Sequence, residues 1–160
     1  MTGLLPALVP GLVDAALVAL REYGKRSFSE VVEPSIELAD GYVVDETRAG
    51  ALARNRRHYE QWPTSRRVYL AGGRPPRAGE IFRQPDLART LRAMAEAERK
   101  ALAAGAGREA AIDAVRELFY RGDIARRIGR FCSENGGLLR YEDMAAFRLE
   151  PEEAPSVSYR

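Results

Sequence analysis

Val9-Pro10-Gly11-Leu12-Val13-Asp14-Ala15-Ala16-Leu17-Val18-Ala19-Leu20-Arg21-Glu22-Tyr23-Gly24 is the stretch on which the fold class turns. Val9, Leu12, Val13, Ala16, Leu17 and Leu20 recur at the spacing of three and four that gathers side chains on one face of an α-helix, not at the alternation of a strand. Gly24 follows as a stop. The run is apolar enough to suggest a membrane segment, but Pro6, Pro10, Gly11 and Asp14 interrupt it and no basic segment precedes it. It also falls short of the ~20 apolar residues that cross a bilayer. It is therefore expected to be neither a transmembrane helix nor a signal peptide. Taken as a true N-terminus it leaves the chain in the cytoplasm, whereas an upstream signal would export it.

Working outward, Ser27-Phe28-Ser29-Glu30 has capping-box spacing and opens a second helix through Val31, Ile36 and Leu38, which Pro34 is expected to kink or split. Tyr42-Val43-Val44 reads as extended, and Asp45 as the N-cap of a polar helix running to about Gln61 and closed by Trp62-Pro63. From Thr64 to Arg83 the strand-like Val68, Tyr69, Leu70, Ile81 and Phe82 are split by Gly72-Gly73 and Pro75-Pro76, which predicts a loop or small hairpin. Gln84-Pro85-Asp86 starts a helix through Leu87, Leu91 and Met94, and an Ala-rich stretch follows to Ala114, broken at Gly105 and Gly107. Helices carrying Ile112, Val115, Leu118 and Phe119, and then Ile124, Ile128, Phe131 and Cys132, lead to Gly136-Gly137. A short connector with a turn or two of helix around Met144 comes next. Val157 and Tyr159 alternate with polar residues as a C-terminal strand does. The expected class is mainly α, with a short hairpin and a terminal strand.

With 46% apolar and 30% charged residues the chain has enough apolar material to fold, and 160 residues fit one domain or a part of one. The 25 Lys and Arg against 23 Asp and Glu argue against the wide basic field of a dedicated nucleic-acid binder. A single cysteine, Cys132, allows neither an internal disulfide nor a multi-cysteine metal site. No cofactor is implied.

Candidate chemistry is sparse. His58, the sole histidine, sits in Arg54-Asn55-Arg56-Arg57-His58-Tyr59 and would need a serine, cysteine or carboxylate brought to it by the fold; a solvated helix face is the simpler reading. The same cluster, with Tyr59, Trp62, Arg66 and Arg67, could follow an anionic partner, yet Asp45, Glu46 and Glu60 dilute its charge. Cys132 reads as a core thiol despite Arg126, Arg127 and Arg130. Glu142-Asp143 and Glu152-Glu153 are sequence neighbours that would diverge in a helix or strand, and read as a cap and a solvated run. Gly72-Gly73 and Gly136-Gly137 lack the spacing of phosphate loops and read as turns.

Several strings fall in a recognisable order: Val9-Pro10-Gly11 opening a helix that ends in Tyr23-Gly24; Glu33-Pro34-Ser35-Ile36-Glu37-Leu38-Ala39 before Gly41-Tyr42-Val43-Val44; Gly79-Glu80-Ile81-Phe82-Arg83-Gln84-Pro85-Asp86-Leu87-Ala88-Arg89-Thr90-Leu91; Phe119-Tyr120-Arg121-Gly122-Asp123-Ile124-Ala125; and Gly136-Gly137-Leu138-Leu139 leading to Glu142-Asp143-Met144-Ala145-Ala146-Phe147. Together they resemble an internal part of the large subunit of the gamma-glutamyltransferase (gamma-glutamyltranspeptidase) family, across nearly the whole chain. The resemblance implies a partial piece of an αββα N-terminal-nucleophile hydrolase fold. In that family a proenzyme cuts itself, and the freed threonine of the small subunit attacks a gamma-glutamyl bond, usually of glutathione.

On this reading the threonine, its oxyanion donors and the arginine that holds the substrate carboxylate belong to sequence outside residues 1–160. No catalytic, cofactor or metal position is carried over. Residues 1–160 are expected to form one partial domain that supplies a helical layer and is inactive alone, with the remaining large- and small-subunit segments as partners and self-association as a consequence of their absence. Two departures stand out. Leu12 occupies a position that is usually small or hydroxylic in the family, and residues 98–114 look like an Ala-rich insertion. A stand-alone helical module that uses Arg54–Arg67 on an anionic partner is the alternative.

Overall fold

The computed structural model describes residues 3–149, 152 and 155–159. In chain order they form α1 (Gly11–Tyr23), α2 (Phe28–Asp40), β1 (Tyr42–Val43), α3 (Glu46–Arg54), α4 (Arg56–Glu60), α5 (Pro63–Tyr69), β2 (Ile81–Phe82), α6 (Pro85–Ala103), α7 (Arg108–Tyr120), α8 (Asp123–Glu134) and α9 (Tyr141–Ala146). Two compact units result, one built from residues up to Glu30 together with those from Met94 onward, the other from Val31–Ala93. No described helix is long and apolar enough to cross a membrane.

In the first unit α7 is central: it packs on α1 and α8, and buries Ala111, Ile112, Val115, Phe119 and Tyr120. α8 packs on α9, and the approach is so close that a Cβ on Gly129 would stand 2.6 Å from the Tyr141 backbone nitrogen. Only glycine fits there without a backbone shift. Met144 seals α9 against the core. The open carbonyls at the end of α1 are met from α7: the Arg108 guanidinium donates to the carbonyls of Leu20 and Arg21, and also to Arg26.

The start of α2 is capped twice. The Ser27 amide donates to Glu30 Oε2 at 2.8 Å and the Glu30 amide donates to Ser27 Oγ at 3.1 Å, the reciprocal pair expected from the sequence. Glu98, almost fully buried on α6, then accepts the Phe28 and Ser29 amides at 2.6 and 2.7 Å. A buried carboxylate is tolerated because two N–H donors and the positive end of the helix dipole replace its water.

In the second unit β1 and β2 pair antiparallel, Tyr42 with Phe82 and Val43 with Ile81. Asp45 caps α3 by accepting the Arg48 amide at 2.7 Å. The polar helix expected to run to Gln61 is interrupted at Asn55, whose Nδ2 donates to the Ala51 carbonyl at 2.9 Å and closes α3 before α4 begins. Further differences from the sequence reading have local causes. α2 passes Pro34 without splitting; its doubly capped start and its buried Val32, Ile36 and Ala39 hold it together despite one missing N–H. Val68 and Tyr69 are helical, because Pro63 takes the first position of α5 and Trp62 supplies the extended residue before it. The partner of Ile81-Phe82 is therefore Tyr42-Val43 and not the segment before Gly72. No strand forms over residues 155–159, where Val157 and Tyr159 are exposed and the described residues offer no edge to pair with. Glu153 and Arg160 lie outside the described residues.

α1 departs most from expectation. Asp14 and Leu17 face inward, while Leu12 is 83% exposed and Ala16 also faces out.

Glu98→Ala strips the acceptor from two amides in a site closed to water, and a loss of about 3 kcal/mol is expected, with Glu98→Gln costing about 1 kcal/mol. Denaturant midpoints of the two variants check the ordering.

Candidate functional site

The most deeply buried charge in the first unit is Asp14, with no exposed surface. It sits on α1 only because α7 brings Arg116 to it: Arg116 Nη2 donates to Asp14 Oδ2 at 2.6 Å, and Arg116 Nε forms an ion pair with Oδ1. Oδ1 receives this charge without a well-directed hydrogen bond. Oδ2 also accepts the Leu149 amide at 2.8 Å, just after α9. Tyr120, four residues after Arg116, completes the cluster. Its hydroxyl donates to the Pro10 carbonyl at 2.6 Å and accepts the Asp14 amide at 2.9 Å. Burial pushes the Tyr120 phenol above its ordinary value, partly offset by the Asp14 amide. The cluster thus ties three backbone points, Pro10, Asp14 and Leu149, to one helix.

Above it lies a cleft of about 290 Å³, floored by Leu17 and rimmed by Arg21, Asp113, Arg116, Glu117 and Arg148. Its charges are largely cancelled: Arg21 lies 3.4 Å from Asp113, and Arg116 is spent on Asp14. A rim of alternating sign has a weak net field, so it neither activates a nucleophile nor concentrates an anion.

The second unit carries a cleft of about 360 Å³ beside Tyr69, Ile81, Phe82, Arg74 and Glu80. Tyr59 stacks on Tyr69 with centroids 4.5 Å apart, and Tyr69 on Phe82 at 6.0 Å. Arg74 holds both Glu80 oxygens at 2.7 and 2.9 Å, and the Arg77 amide adds a third hydrogen bond at 2.9 Å. The Arg74 guanidinium first, and the Arg77 amide second, lower the Glu80 carboxyl from its ordinary 4.5 to about 2.

The residues singled out from the sequence do not converge. His58 is exposed on α4 with only the Tyr59 ring edge beside it. In the basic patch Arg56 is held by Glu60 at 2.7 Å and Arg67 stands 4.0 Å from Asp86, while Arg54, Arg57 and Arg66 are exposed. Cys132 is buried in the first unit. Asp143 accepts the Arg140 amide at 2.8 Å, the cap expected of it, and Glu142 is exposed. Gly72, Gly73 and Gly136 have positive φ and make turns. The sequence reading passed over Asp14, Arg116, Tyr120 and Glu98. The available signal was Asp14 itself, three residues before Leu17 and so on the same helix face.

The family model described as gamma-glutamyltranspeptidase matches residues 1–160. The chain belongs to the gamma-glutamyltranspeptidase family. Among the family's curated members, the glutathione hydrolase-like proenzyme of Bacillus subtilis is 31% identical over 95% of this chain and 26% of its own length. The glutathione hydrolase proenzyme of Escherichia coli is 30% identical over 100% of this chain and 25% of its own. Of solved family-like structures, the cephalosporin acylase from Bacillus halodurans superposes with a TM-score of 0.82 at 31% identity, covering 99% of this chain and 28% of the acylase chain. Helicobacter pylori gamma-glutamyltranspeptidase gives 0.77 at 28% identity over 91% of this chain and 38% of its own. The chain therefore spans about a quarter of the length of the curated relatives. The mainly helical architecture with a two-strand hairpin matches part of these family structures.

Removing one member of the buried pair leaves the other uncompensated, so Asp14→Ala is expected to lower stability by about 3–5 kcal/mol, and the double replacement Asp14→Leu with Arg116→Met to recover part of that loss. Denaturant unfolding of the three proteins checks this. Separately, the Glu80 carboxyl is expected to titrate near pH 2 and Arg74→Ala to return it toward 4.5. The sign follows from the lowered folded value: the Arg74–Glu80 link contributes stability above about pH 4.5, and it is lost as pH falls toward 2. Carboxyl NMR titration reads both proteins.

Proposed function

We propose that this chain is the supporting helical segment of a gamma-glutamyltranspeptidase-type enzyme, one that transfers or hydrolyses gamma-glutamyl groups of glutathione-type donors, and that it does not turn over substrate alone. The observation that carries this reading is the extent of the match: the likeness covers the whole chain but only about a quarter of each curated relative. The chemistry of the described residues supports it. Both buried carboxylates are committed, Glu98 to two backbone amides and Asp14 to Arg116 and the Leu149 amide. Neither has a lone pair and an opening to spare for a reacting group. The nucleophile, and the groups that bind the donor, are then supplied by the other large- and small-subunit segments. The relatives' names include both glutathione hydrolase and cephalosporin acylase, so the common chemistry is cleavage of an amide-linked acyl group, and the donor is set by residues of those other segments. The basic patch gains no support as an alternative, since Arg56 and Arg67 each face a carboxylate of their own unit.

Purified alone, the chain is expected to release no chromophore from a gamma-glutamyl anilide above the buffer rate. Release that co-purifies with the chain and is abolished by a substitution within it overturns the proposal.

A further inference from the structure

α1 is inverted relative to a surface helix. Its sequence, Gly11–Tyr23, holds three charged residues, and the one in its body, Asp14, points inward to Arg116 and has no exposed surface. The outward side is Leu12, Ala16, Ala19 and Tyr23, at successive steps of four, three and four, one continuous stripe along the helix. Leu12 is 83% and Tyr23 82% exposed, and Leu8, four residues before Leu12, is 85% exposed. A helix at rest against water puts its charges on this side. Here two large residues flank two alanines, so that an opposing element can approach the backbone in the middle and be gripped at the ends.

We infer that this outward stripe of α1 is the docking face for the remainder of a gamma-glutamyltranspeptidase-family polypeptide, through an apolar surface of that remainder. The inference rests on the proposed function. What selects this occupant is length: the curated relatives carry about three-quarters of their chain beyond the part matched by these residues, enough to bring a second apolar layer to α1. A second copy of this chain is the competing occupant, and the experiment separates the two.

Cys132 is buried and is first replaced by Ser, after which a single thiol is placed on the stripe as Ala16→Cys. Its maleimide labelling rate is compared between this chain alone and a chimera in which the chain replaces the matching part of the Bacillus halodurans cephalosporin acylase. The expected result is a monomer by sedimentation with a fast-labelling thiol in the isolated chain, and at least a tenfold slower rate in the soluble chimera. Equal rates in the two overturn the inference. So does slow labelling in the isolated chain that follows a concentration-dependent dimer, which assigns the face to a second copy. Self-processing of the chimera with an unprotected thiol sinks the docking face but leaves the proposed function standing; anilide turnover by the chain alone sinks the latter. If the chimera fails to fold, Leu12→Lys with Tyr23→Lys in the isolated chain remains decisive. Reduced hydrophobic-dye fluorescence with an unchanged melting temperature supports an uncovered docking face, and a lowered melting temperature shows the stripe already packed and overturns it.

Discussion

A carboxylate buried at Asp14 is the constraint on which the first unit depends. Its charge cannot stand in an apolar interior unaided, so the chain must deliver Arg116 from α7 and the Leu149 amide from beyond α9 to the same two oxygens. Tyr120 then fixes the entrance of α1 through the Pro10 carbonyl. Three segments far apart in sequence are thereby held at one point, and the direction in which the backbone leaves α9 follows from a single ionic contact. Glu98 does a similar task at the start of α2, where a charge on α6 replaces the water lost by two amides. In both places the structure uses buried charge to set geometry, which an apolar contact of the same area does less selectively.

This explains why local structure was legible in the sequence and tertiary placement was not. The capping box at Ser27 and Glu30, the Asp45 cap, Pro85 at the head of α6 and the short helix around Met144 all depend on residues within four positions of one another, and each forms as read. The face that α1 buries depends on a partner 102 residues away, and a helix apolar on nearly every side gives periodicity no means of choosing between faces. The hairpin is similar. Strands of two residues carry little pattern, and the identity of the partner of Ile81-Phe82 is settled by pairing across the second unit. Asp14 appeared only as an interruption of an apolar run, although its place in the helical repeat pointed inward with Leu17.

Family membership came from ordered strings, not from any chemical motif, and the structure shows the physical content of some of them. Pro10 presents its carbonyl to Tyr120 at the mouth of α1. Tyr120, inside the Phe119–Ala125 string, is the residue that accepts the Asp14 amide. The Glu142-Asp143 string opens α9 with a cap on the Arg140 amide. Such positions bear on packing and chain direction, in keeping with a segment that supports chemistry done elsewhere in a longer polypeptide.

The most direct test of this account is amide hydrogen exchange at Leu149 in the unaltered protein. If Asp14 holds the chain as described, the Leu149 amide exchanges with the buried core of α7, alongside Val115, and far more slowly than residues 155–159. Exchange of Leu149 as fast as that exposed segment, with α7 still protected, contradicts it.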